Sequence, residues 1–177
     1  MKLRLLTIFE LVFMIFILSS CFSDERINIS DILKNNNSKV TIEQGVSGTV
    51  IYMEGNFMPV VISGPDDLSL YDFGISIPLQ KTVQLYEYTT SPDVRYSDTS
   101  SVFIDSIGTN MISETTSDAE GFYQLSVSDT GTYSIFVIYD GKHFVEYWSS
   151  GQGINTIKIT ADSVLQHNIH IDHNTCW

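Results

Sequence analysis

The chain is poor in the features that most often betray an activity. It has only two cysteines, Cys21 and Cys176, near opposite ends, so no disulfide framework is expected. Basic residues are scarce: nine Lys and Arg stand against 21 Asp and Glu, a formal net charge of -12. An acidic chain repels a phosphate backbone, so nucleic acid is not an expected partner, while the same acidity keeps an exposed domain soluble. Beyond Arg26 the only arginine is Arg95. No stretch keeps the 3.6-residue period of a long helix. No Gly-x-Ser-x-Gly elbow gathers the Ser, His and Asp residues into a hydrolase signature. What is abundant is β-branched and aromatic residues in short runs, cut by Gly, Asp, Asn and Ser.

The one long apolar run is Leu11 to Leu18, LVFMIFIL, behind a basic start of Met1-Lys2-Leu3-Arg4. A membrane-spanning helix needs about 20 apolar residues, and Glu10 interrupts this run. Leu18-Ser19-Ser20-Cys21 follows. An aliphatic residue, two small ones and a cysteine form the bacterial lipobox: the small residues admit the peptidase, and the thiol carries a diacylglyceryl thioether. Residues 1–20 are therefore expected to be a lipoprotein signal peptide, with Cys21 as the lipid attachment site. Two or three acyl chains anchor a protein stably. Cys176 is then left as an unpaired thiol. No Asp directly follows Cys21, which favours the outer membrane, and Asp24-Glu25 resembles a surface-export signal. The periplasmic and cell-surface sides both stay open. Residues 21–44, with Asn35-Asn36-Asn37-Ser38, read as a flexible linker, holding at most a helical turn at Asp31-Ile32-Leu33 capped by Ser30.

From Gly45 to the end, residues 45–177, the pattern is that of one β-domain. Val46 to Tyr52 and Thr82 to Tyr88 alternate as strands, whereas Ser63–Pro78 and Thr89–Ser101 read as loops. Met111 to Tyr139 holds three strand-like runs and two turns, Ser117-Asp118-Ala119-Glu120-Gly121 and Ser128-Asp129-Thr130-Gly131. Tyr133 to Tyr139 is nearly all apolar, as in a strand buried on both faces. Asp140-Gly141 signals a type I′ hairpin. Thr156 to Thr160 and Val164 to Ile171 supply two closing strands. About seven strands at this spacing predict an all-β sandwich.

Gly45-Val46-Ser47-Gly48-Thr49-Val50, then Val83-Gln84-Leu85-Tyr86, then Thr115-Thr116-Ser117-Asp118-Ala119-Glu120-Gly121-Phe122-Tyr123, with Gly131-Thr132-Tyr133, resemble the carboxypeptidase regulatory-like domain. Glu54-Gly55-Asn56-Phe57-Met58-Pro59 is similar to a segment of lipoproteins from Bacteroidetes-type bacteria. The resemblance implies a Greek-key sandwich of the prealbumin (transthyretin-like) type. It also implies a non-catalytic role as stalk, adaptor or binding module. The zinc-peptidase domain that such modules accompany is not attached, so peptidase activity does not carry over.

Three constellations were weighed against plainer roles. His167, His170 and His173 lie near Asp172, but strict alternation puts His167 and His173 on one face and His170 on the other, so no metal ligand set is expected. Asp118 and Glu120 are too few for calcium, and an Asx-turn accounts for Asp118. Tyr147 and Trp148, beside a Gly-rich loop, form a candidate binding patch for a sugar or protein, with Phe144 as core. The expectation is a cofactor-free, non-enzymatic outer-membrane lipoprotein, held by its N-terminal lipid, that binds or scaffolds another envelope protein. The alternative is surface glycan capture.

Overall fold

The computed structural model describes residues 28–58, 74–149 and 153–176. The signal peptide, Cys21, most of the 63–78 loop and the middle of the Gly-rich loop lie outside the described residues.

Of the fourteen strand segments among the described residues, twelve build two sheets that pack face to face, a sandwich as expected but with shorter and more numerous strands. The smaller sheet is organised on β1 (Gly45–Asn56). On one side β1 pairs antiparallel with β7 (Phe122–Ser126) and then β2 (Ile75–Pro78). On the other it pairs in parallel with β13 (Val164–Gln166) and β14 (Ile169–Cys176). The larger sheet runs β4 (Val94–Ser97), β5 (Ser100–Ile107), β9 (Lys142–Phe144), β8 (Gly131–Tyr139), β3 (Thr82–Glu87) and β6 (Met111–Thr116), with β12 (Thr156–Ile159) beside the first half of β8. A short ribbon joins β10 (Trp148–Ser149) to β11 (Gly153–Ile154). Part of the expected 89–101 loop is strand: after a 3-10 turn at Ser91–Asp93 it forms β4.

The two turns of the central stretch are sheet-changing corners. The first carries the chain from β6 in the large sheet to β7 in the small one, the second returns it to β8. Asp118 Oδ1 accepts from the N–H groups of Glu120 and Phe122, both at 2.9 Å. Gly121 takes φ 75°, and a Cβ there would lie 2.5 Å from the Val50 carbonyl oxygen. Only glycine fits.

Between the sheets lie Val46 and Val50 of β1, Val83 and Leu85 of β3, Tyr123 and Leu125 of β7, Ile135 and Val137 of β8, and Ile169 and Ile171 of β14, all buried. Each such side chain contributes about 2 kcal/mol through burial. A second cluster of Tyr86, Ile104, Phe136, Val145 and Ile154 covers the outer face of the large sheet, with Val94, Tyr96 and Ile107 packed against it. Ser134, Ile135, Phe136 and Val137 are consecutive and all buried, so β8 is covered on both faces, as its apolar sequence requires. The Asp140-Gly141 turn has φ 50° and 74°, as a type I′ hairpin needs.

The linker is where sequence and structure part. Ile29–Asn37 forms a helix, α1, capped by the Asn28 side chain accepting from Ser30 N–H rather than by Ser30. It lies on the outer face of the small sheet. Asn36, 1% exposed, donates to Thr49 Oγ1 at 3.0 Å and to the Glu120 carbonyl at 2.9 Å. Lys39 reaches Asp118 at 2.7 Å and Glu120 at 2.6 Å. The two carboxylates weighed for calcium are thus bridged by an ammonium group.

Candidate functional site

The chain leaves β9 at Phe144, which is core as expected, 1% exposed. It then runs through Val145, Glu146 and Tyr147 to β10. Asn155, at φ 47° between β11 and β12, holds this link in place. Its Oδ1 accepts from the N–H groups of Glu146 (2.9 Å) and Tyr147 (3.0 Å), and its Nδ2 donates to the Phe144 carbonyl at 2.9 Å. Asn tolerates this left-handed backbone better than most residues. Buried at 3% exposure, it satisfies polar groups that would otherwise be stranded.

That clamp aims Glu146 at the free side of β14. Its Oε1 accepts from the backbone N–H of His170 at 3.0 Å and from His170 Nδ1 at 3.1 Å. Its Oε2 lies 3.6 Å from His167 Nε2, an ion-pair distance rather than a hydrogen bond. An ionised carboxylate only accepts, so His170 Nδ1 is the donor. Burial alone would raise the Glu146 pKa. The neighbouring His167 and His170 side chains and the His170 amide outweigh burial and bring it to about 2. The same contact raises His170 above its ordinary value. Burial pushes Tyr123, below this cluster, far up; its hydroxyl donates to the His167 carbonyl at 2.6 Å.

His167 and His170 therefore share one partner, against the alternation expected of them. The strand is interrupted between β13 and β14: Asn168 uses its side-chain oxygen, instead of a backbone carbonyl, to accept from Thr49 N–H at 3.0 Å. Opposite the break is Gly48, where a Cβ would stand 1.7 Å from the His167 carbonyl oxygen. His173 keeps the parity of Ile169 and Ile171 and turns between the sheets. There its ring meets Tyr139 (5.3 Å), Phe103 (5.4 Å) and Phe144 (6.0 Å) edge-on or tilted. Tyr52 and Phe103 stack on either side of Tyr139, at 5.9 and 6.5 Å. Among the described residues no group of three His, Cys, Asp or Glu is arranged to hold a metal ion.

Of the expected patch, Tyr147 is half-buried and its hydroxyl donates to the Thr156 carbonyl; the Trp148 side chain lies outside the described residues. Cys176 is exposed at the end of β14. Sequence reasoning passed over Glu146 and Asn155. The signal available for them was a carboxylate within an otherwise apolar or aromatic run, Phe144-Val145-Glu146-Tyr147-Trp148.

A different surface stands open at the far edge of the large sheet. Among the described residues β6 pairs with β3 alone, and Met111 and Ile112 are 49% and 45% exposed. β4, at the opposite end, is broken by two register shifts and carries Arg95 outward. Compared with known proteins, the chain matches no family model, no curated protein and no solved structure.

Proposed function

We propose that the chain is a non-enzymatic outer-membrane lipoprotein, anchored through Cys21, whose sandwich binds or scaffolds another envelope protein. The observation that carries this reading is the β6 edge, whose side away from β3 has no partner strand among the described residues and which carries two exposed large apolar side chains. Unpaired edges invite strands from other chains, and proteins usually blunt them. Glu146, His167 and His170 support a role other than catalysis, since they are spent on bracing one another and β14. We take the sandwich to be of the Greek-key, prealbumin type named by the carboxypeptidase regulatory-like resemblance; the route from β6 through β7 to β8, crossing between sheets twice, supports it. Glycan capture at Tyr147 and Trp148 ranks second, because the Tyr147 hydroxyl is already committed to Thr156. A photo-crosslinking residue placed at Ile112 in intact cells should trap one discrete envelope protein, while one at Lys158 should not. Trapping at neither position, or equally at both, would remove the edge from the function.

A further inference from the structure

The β6 edge also says what it can take. Ser117 N–H donates to the Lys81 carbonyl at 2.9 Å, and the ladder then runs Thr82 to Thr116, Val83 to Thr115, Gln84 to Glu114 and Leu85 to Ser113. Bonded and non-bonded positions alternate in an antiparallel pair. Thr115 and Ser113 therefore bond to β3, as Ser117 does, and the N–H groups of Glu114 and Thr116 point away from the sheet. An added strand finds two ready donors there. On the outer face the carboxylate of Glu114 is exposed and bonded to Gln84 Nε2 at 2.7 Å, on the regular side of a register shift that leaves Ile112 without a β3 partner.

Building on the edge reading above, we infer that β6 accepts, by strand addition, an extended segment of a partner protein in which Lys or Arg alternates with apolar residues. Its basic side chains lie on the outer face, opposite Glu114, and its apolar ones alternate to the other face. Opposite charges across a strand pair stabilise it and like charges oppose it. A second copy of this chain is the poorer occupant: each copy carries -12, and antiparallel self-pairing centred on Glu114 sets carboxylate against carboxylate. Main-chain bonds would supply affinity, and Glu114 the choice of partner.

The test is amide hydrogen exchange on the full chain in detergent micelles, with two acetylated, amidated probes, Val-Lys-Val-Lys-Val and Val-Glu-Val-Glu-Val. At nine-tenths occupancy the Lys probe should slow exchange at Glu114 and Thr116 roughly tenfold, less so in high salt. Thr116→Pro, which removes one outward donor but leaves Glu114, and Glu114→Lys, which keeps the backbone but reverses the charge, should each abolish the effect. Unchanged thermal midpoints would show both variants folded. Equal protection by the Glu probe would overturn the basic partner and leave the edge standing. Protection by neither probe would overturn the edge itself. Slow exchange without any probe, in a chain that sediments as a dimer, would assign the edge to a second copy and overturn the proposal.

Discussion

Among the described residues β14 and β6 each leave one side without a neighbouring strand, yet β14 is closed by a side chain whereas β6 carries only a register shift at Ile112. At β14 a carboxylate from another part of the chain accepts the outward N–H of His170, and two imidazoles hold that carboxylate in place. At β6 no Lys or Pro occurs in the strand, and its outward face offers Met111 and Ile112 to solvent. The same chain closes one edge with a buried charge cluster and leaves the other accessible.

The contrast breaks most severely at Glu146. Glu146→Ala leaves the His170 strand N–H and its imidazole without their acceptor and removes the charge beside His167. A shift from 4.5 to about 2 corresponds to about 3 kcal/mol, so the thermal midpoint should fall by about 10 °C, with faster exchange at the His170 amide and, if the edge is now open, self-association. An unchanged midpoint would make the cluster decorative. The pH dependence sharpens this point. Glu146, with its lowered pKa, adds stability that is complete above pH 4.5 and is lost as pH falls toward 2. His170, with its raised pKa, adds stability that is complete below pH 6.5 and is lost as pH rises through its folded value. The brace should therefore be strongest between pH 4.5 and 6.5, and calorimetry on Glu146→Gln should show this plateau flattened.

Smaller effects lie elsewhere. Asn36→Ala removes two hydrogen bonds that dock α1 and should cost about 1 to 2 kcal/mol, read most sensitively as faster proteolysis near residue 40. Lys39→Met, by contrast, touches a partly exposed pair and should change stability by less than about 1 kcal/mol. The smallest effect belongs to β6: Ile112→Lys should alter stability by no more than about 0.5 kcal/mol while reducing capture of the partner by a photo-crosslinking residue placed at Met111. A large loss of stability there would mean that β6 is structural, and the two edges would cease to differ.

Runs with strong periodicity or obligatory turn chemistry were legible in the sequence. Tyr133 to Tyr139 announced a strand covered on both faces, and Asp140-Gly141 a hairpin, because burial and positive φ leave few residue choices. The site was less legible, since it depends on groups far apart in sequence. Strand alternation misplaced His167 because the Asn168 side chain replaces a backbone acceptor and interrupts the strand, an event without a periodic signature. The 29–37 helix was read as tether because its anchors, Asn36 and Lys39, are polar and hold by hydrogen bonds rather than by an apolar stripe. Glu146 carries no local signal of its role, because Asn155, nine positions later, fixes its direction.

The docking of α1 also sets a distance. With lipids on Cys21, only seven peptide steps separate the anchor from Asn28, a span of roughly 25 Å when fully extended, whereas a free chain as far as Gly45 would reach roughly 80 Å. If Cys21 carries lipid as proposed, the sandwich would be confined to a thin layer above the headgroups. Its encounters would then be a search in two dimensions among proteins of the same membrane, where modest affinities suffice because confinement raises the effective concentration.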